Sequence, residues 1–274
     1  MFLHKKELQF EAKPDKPNPL IAKYLQELIG GQYGEMSVAM QYLFQGWSCR
    51  GEEKYKDMLM DIATEEIGHV EMLATMVARL LEGAPVEDQE AAMKKDPAIG
   101  AMIAGMNPQQ AIVAGLGPRP ADSLGNPWSG AYIIASGNLL ADFRANLNAE
   151  SQGRLQVARI YEMIDDKGVK DLLAVLLARD SYHQNLWAEA VKELEEKEGS
   201  ILVPSTFPRE KERMDIAYDF YNFSEGEDSK KGSWAEGKSL DGEGEYQYHE
   251  EPKVEGQAPK LSDVTPKMYG TPKK

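Results

Sequence analysis

Four long stretches of helical periodicity, joined by connections that are short, long and short, leave this chain few ways to fold. The first runs from about 19 to 49. It opens on Asn18-Pro19, a capping side chain followed by proline at the first helical position. Gly51 breaks it. The second runs from about 52 to 82 and stops at Gly83-Ala84-Pro85. The third covers about 130–165 and the fourth about 168–197, with Asp165-Asp166-Lys167-Gly168 as the tight turn between them. The middle connection is rich in Gly, Pro and Ala, and short helices are expected in it near 87–95 and 108–114. Short connections make antiparallel neighbours; the long one lets the second and third helices run parallel.

The fold this predicts is all-α: a ferritin-like four-helix bundle over 19–200 with one long crossover at about 83–130. A polar, proline-marked arm (1–18) precedes it and a long irregular tail (201–274) follows. A chain of 274 residues is enough for one such domain with appendages. The tail is rich in Gly, Glu, Lys and Ser, a composition that admits disorder. It also keeps Tyr218, Phe220, Tyr221, Phe223, Trp234, Tyr246, Tyr248 and Tyr269. Aromatics are scarce in disordered tails, so we expect it to wrap over its own bundle or a neighbouring subunit.

Each apolar stripe carries a polar defect. In the second helix the inward positions are Leu59, Ile62, Glu66, His69, Leu73, Met76 and Leu80. Glu65 is out of phase and is expected in solvent. The first helix gives Ile21, Leu25, Leu28, Gln32, Glu35, Ala39 and Tyr42; the third gives Phe143, Leu147, Glu150, Val157 and Ile164. The fourth gives Val169, Leu172, Leu176, Asp180, His183, Trp187 and Ala190. A buried carboxylate or imidazole is costly unless something pairs with it. Taken singly, an E-x-x-H pair can sit on a surface, an inward histidine can be bonded within a core, and Glu35 can pair with Arg50. Acids and histidines in phase on all four helices point instead to two transition metals, with carboxylates bridging and imidazoles capping. The ligand set is Glu35, Glu66, His69, Glu150 and His183, with Glu66 placed to bridge. Asp180, shorter than Glu by one methylene, is expected to orient His183 or a bound water. Tyr42 is open to a role beside the site or in the core, and Asn146 and Arg154 flank Glu150 by one turn.

Composition excludes several other classes. A net charge of −14 repels phosphate backbones and anionic membranes, so no nucleic-acid or membrane partner is expected. No segment approaches the roughly 20 apolar residues of a membrane span, and MFLHKKELQFEAKPDKP has no signal-peptide core. The single cysteine, Cys49, allows no internal disulfide, which suits a reducing cytosol. We expect a soluble cytoplasmic protein. There is no G-x-S-x-G elbow, no P-loop, and no G-x-G-x-x-G after a strand.

These residues resemble the manganese catalases. The resemblance rests on TEEIGHVEML with Glu66 and His69, PADSLGNPWSGAY before the third helix, NAESQGR around Glu150 and RDSYHQ around His183. It spans nearly the whole chain, tail included. It implies a ferritin-like bundle, a hexamer with wrapping tails, and metal ligands at Glu35, Glu66, His69, Glu150 and His183, the five that the register selects. It implies disproportionation of hydrogen peroxide to water and dioxygen by two manganese ions per subunit, cycling between Mn(II)2 and Mn(III)2. Asp180 and bridging solvent would carry protons. Some members have Glu where this chain has Asp180, and some have a basic residue where it has Ala149. Some also bind calcium near a subunit contact, which would fall here on Asp57, Asp61, Asn222, Ser224 and Gly226; Asp57 and Asp61 can equally be ordinary helix-surface acids. Two other readings stand against the catalase. A di-iron oxidase or iron store lacks support from a Glu at 180, and a non-catalytic coat-type relative should have lost ligands.

Overall fold

The structure, a computed structural model, describes residues 3–83, 94, 105, 107–203 and 207–262. It falls into two units, Met1–Val203 and Pro204–Lys274. In the first unit the helices are α1 (Pro19–Gly30), α2 (Glu35–Ser48), α3 (Glu53–Leu81), α4 (Pro108–Ile112), α5 (Leu139–Met163) and α6 (Lys167–Glu198). Among the described residues no helix is long and apolar enough to cross a membrane.

The second and fourth helices fall where the periodicity puts them. The Asp166 carboxylate accepts from Val169 N–H at the start of α6, and Gly199 closes it in the left-handed conformation (φ 68°). The Asn18 side chain accepts from Leu20 and Ile21 N–H at the start of α1. The expected first helix, however, is two helices. Gly31 N–H bonds back to Glu27 O at 2.9 Å, and Gly34 N–H to Gly31 O at 3.1 Å. A Cβ at Gly31 would lie 2.5 Å from Glu27 O, so a side chain there would forbid the turn. Gln32 is therefore exposed in the break and not on the stripe. The break makes Glu35 the first residue of α2, where the helix dipole favours a carboxylate.

The third helix starts at Leu139, later than the periodicity suggests. Residues 133–138 are irregular, after a single 3-10 turn at Gly130–Tyr132. The cause is local. The buried Asp142 carboxylate accepts from Ser136 N–H, Ser136 Oγ–H and Gly137 N–H, and Asn138 caps the helix by accepting from Ala141 N–H. In the crossover α4 is the short helix expected near 108–114; the one expected near 87–95 lies outside the described residues apart from Lys94. Amide side chains pin the crossover. Gln26 donates to Arg119 O and Ala121 O, Gln45 donates to Ile134 O, and Gln41 accepts from Ile134 N–H.

Two apolar clusters fill the bundle. One joins α1, the last third of α3, the end of α5 and the start of α6, through Leu25, Leu28, Leu73, Met76, Val157 and Leu172 among others. The other joins α2, the first third of α3, the start of α5 and the end of α6, through Tyr42, Leu59, Phe143 and Trp187 among others. On every long helix the residues between the two clusters are the polar ones.

The second unit holds a three-stranded sheet of order β1-β3-β2, with β1 (Asp219–Tyr221), β2 (Glu236–Lys238) and β3 (Glu245–His249). β1 runs parallel to β3 with Phe220 opposite Tyr248, and β2 runs antiparallel with Gly237 opposite Tyr246. The tail expected to be irregular thus has an ordered piece. Its aromatics pair: Phe220 with Tyr248 at 5.6 Å and Tyr218 with Tyr246 at 6.3 Å between ring centroids. Tyr269 lies outside the described residues.

Candidate metal centre

The polar layer between the clusters is assembled from six side chains on four helices. α2 begins with Glu35. α3 presents Glu66 and His69, one turn apart. α5 presents Glu150, and α6 presents Asp180 and His183. Glu66, His69 and His183 are fully buried, and Glu35, Glu150 and Asp180 nearly so.

Glu66 is the centre of the arrangement. Its Oε2 lies 2.6 Å from His69 Nδ1, and its Oε1 lies 2.8 Å from His183 Nδ1. A second carboxylate approaches each of these nitrogens: Glu35 Oε2 at 3.7 Å from His69 Nδ1, and Glu150 Oε1 at 3.6 Å from His183 Nδ1. Two groups result, Glu35–Glu66–His69 and Glu66–Glu150–His183, each with its donor atoms within 4.8 Å of one another. Glu66 is common to both.

The donor set fits a pair of cations. Glu66 Oε1 and His183 Nδ1 are buried and close, yet neither has a hydrogen-bond partner among the described residues. Groups that are both buried and unpartnered are costly unless a further partner fills the gap between them. Three carboxylates and two imidazoles suit divalent transition ions.

The ionisation of these side chains is strongly coupled. Burial, then the negative charge of Glu66, raises the carboxyls of Glu35 and Glu150 well above the usual range. The same two causes push Asp180 up to about 7. Burial opposes ionisation of Glu66 too, but His69 and His183 outweigh it and hold that carboxyl low. Burial works against protonation of His183, but Glu65 and Glu66 raise it to about 10, and Glu66, Glu35 and Glu65 likewise raise His69. Ligands of this kind must give up their protons to bind a cation.

The structure therefore brings together Glu35, Glu66, His69, Glu150 and His183. Asp180 faces the same layer with no side-chain hydrogen bond to another described residue. Tyr42 serves both of its readings: its ring packs on Trp187 at 4.9 Å, and its hydroxyl donates to Glu150 Oε1 at 2.6 Å. Asn146 does not reach the site; it is locked to Gln41 and Gln45. Arg154 is exposed and donates to Ser181 Oγ at 2.9 Å. Ala149 is part of the apolar cluster. Asp57 and Asp61 are exposed, one turn apart on α3. Within the tail, Asn222 accepts from Ser224 N–H and donates to Gly226 O, closing a local turn.

The expectation for Glu65 is overturned. It is not free in solvent. Its side chain is 23% exposed, and its Oε2 lies 3.3 Å from His183 Nε2 and its Oε1 3.6 Å from His69 Nε2. Arg179 grips the same carboxylate from outside. A register argument misses this because it follows the direction of Cβ, and a glutamate side chain reaches around to the next helix.

The sequence profile of the family described as manganese containing catalase matches residues 1–272. The chain is 61% identical to the manganese catalase of Bacillus subtilis (strain 168) over 271 residues, covering 99% of this chain and 98% of that one. It is 43% identical to the manganese catalase of Lactiplantibacillus plantarum, covering 98% of each. Among solved structures it matches wild-type KatB, a manganese catalase from Anabaena, with a TM-score of 0.72 at 29% identity, covering 92% of this chain and all of the other.

Proposed function

The chain belongs to the manganese-containing catalases, and we propose that Glu35, Glu66, His69, Glu150 and His183 hold its dinuclear manganese centre. It is a non-haem enzyme that disproportionates hydrogen peroxide to water and dioxygen. The observation that carries the ligand assignment is the pair of buried donor groups that share Glu66.

Bound manganese supplies the redox change, cycling between Mn(II)2 and Mn(III)2 so that one peroxide is reduced to water and the next is oxidised to dioxygen. The protein's own residues supply everything else. Glu66 divides its two oxygens between the two histidines and so fixes the spacing of the pair. Glu35 and Glu150 close opposite ends. Tyr42 orients Glu150 through its hydroxyl. The apolar clusters above and below exclude bulk water from the layer. Each half-reaction exchanges protons as well as electrons, and we assign the carrying of a proton to Asp180, the buried carboxyl of the layer outside the two donor groups.

We also propose a cytoplasmic homo-hexamer whose tail wraps over its own bundle or a neighbouring subunit, with calcium bound through Asp57, Asp61, Asn222, Ser224 and Gly226. The acidic charge and lone cysteine support the compartment. Exposed Phe44 and Trp47 on α2 and the ordered tail support assembly. Removing residues from about 205 onward should lower the native mass, and calcium-selective chelation should lower the mass or the melting temperature. An unchanged mass in the first case, or no change of either in the second, refutes the corresponding part.

The ligand assignment is tested by metal content and by oxygen release after loading with Mn(II) or Fe(II). Two manganese per subunit in the wild type, lost when Glu66 or His183 is replaced, is the expected result. Oxygen evolution should follow manganese alone. Consumption of dioxygen by the iron form, with no oxygen from the manganese form, would place the same five residues in a di-iron oxidase.

A further inference from the structure

Two adjacent glutamates grip the same two histidines from opposite sides. Glu66 faces Nδ1 of both, at 2.6 and 2.8 Å. Glu65 faces Nε2 of both, at 3.6 and 3.3 Å. The imidazole planes are only 26° apart with centroids 6.1 Å from each other, so their outer nitrogens open toward one place. That place is filled by a single carboxylate.

We propose that Glu65, braced by Arg179, is the positioning residue for both metal-binding histidines. The inference rests on the assignment of His69 and His183 as ligands. An imidazole that offers Nδ1 to a cation must be neutral and must carry its proton on Nε2. That buried N–H needs an acceptor. His69 Nε2 has no hydrogen-bond partner among the described residues, and the carboxylate oxygen that faces it is Glu65 Oε1, at 3.6 Å. One oxygen of Glu65 faces each ring, at hydrogen-bond distance from His183 and just outside it from His69, so one side chain can set the tautomer and the tilt of both ligands.

Arg179 makes this arrangement tenable. Its Nη2 lies 3.0 Å from Glu65 Oε2 and its Nε meets Oε1, a two-pronged contact that holds the carboxylate in one plane. The guanidinium lies 4.9 Å over the Tyr182 ring. Side chains at 65, 179 and 182 thus form a stack running from the histidines outward to solvent. The contact also joins α3 to α6, the helices that carry the two histidines, so the spacing of the rings is coupled to the ion pair.

The test uses the full-length protein loaded with Mn(II), in the wild type, Glu65→Ala, Glu65→Gln and Arg179→Met. The readouts are manganese lost to excess chelator, the electron paramagnetic resonance spectrum of the Mn(II) form, and the melting temperature without metal. Glu65→Ala should weaken manganese retention by about 10–100-fold. Glu65→Gln leaves one acceptor oxygen for two rings, so its spectrum should shift from a coupled pair toward a single ion. Arg179→Met, which keeps Glu65, should move both readouts the same way by less. Variants that keep the wild-type release rate and spectrum and lose only melting temperature would overturn the inference and leave Glu65–Arg179 a structural ion pair. A wild type that fails to hold two manganese ions would overturn the ligand assignment itself.

Discussion

The layers of this bundle obey opposite rules. In the two apolar layers, each side chain is held by shape, and partners such as Leu73, Leu172 and Phe143 carry no polar atom that needs a mate. In the layer between them, Glu66, His69 and His183 are as deeply buried, yet their polar atoms lack partners or crowd against like groups. Burying apolar surface stabilises a fold by itself. Burying this set of carboxylates and imidazoles does not, unless protons or cations complete it. The apolar layers therefore build the frame, and the polar layer uses the frame's rigidity for binding. A mutation in one kind of layer should leave the property of the other nearly untouched.

The sharpest way to break that division is Glu66→Ala. It removes the one side chain shared by both donor groups. The expected outcome is no bound manganese and no oxygen evolution, read by metal analysis and an oxygen electrode. A protein that still bound two manganese ions would show that Glu66 is not the bridge. The opposite probe is Leu73→Ala, fully buried in the apolar cluster. It should cost about 2–5 kcal/mol of unfolding free energy while the folded fraction still holds manganese. Chemical denaturation and metal analysis on the same sample would separate the two effects.

Tyr42 belongs to both kinds of layer, so Tyr42→Phe sharpens the boundary. The ring would still pack on Trp187, and only the hydroxyl bond to Glu150 would go. A hydrogen bond to a charged group is worth about 1.5–3 kcal/mol, and that loss should appear as weaker manganese retention more than as a lower melting temperature. The reverse pattern would make Tyr42 a core residue that happens to touch the site.

How much of this was legible follows from the range of each interaction. The long helices and the five convergent residues were readable because helical period and polar defect lie on the same element. Caps such as Asn18, Asp166 and Gly199 are local too. Glu65 was misread because its partners, Arg179 and His183, come from a helix more than a hundred residues away, and no period on α3 encodes them. The tail sheet is not legible for the same reason: β1 pairs in parallel with β3 although β2 lies between them in sequence, and their aromatics carry no run long enough to read.

The break between α1 and α2 is a local feature that was nonetheless missed, and it supplies the smallest effect. Gln32 continues the apolar register perfectly on paper, one turn before Glu35. In the structure the chain leaves the helix at Gly31, and Gln32 is exposed. Exposed substitutions away from caps and networks usually change stability by less than about 0.5 kcal/mol. Gln32→Ala should therefore leave the melting temperature, the manganese content and oxygen evolution as they are. Loss of manganese in that variant would mean that the stripe runs unbroken through residue 32 after all. Glu35 would then sit inside a continuous helix, without the helix N-terminus that now favours its charge.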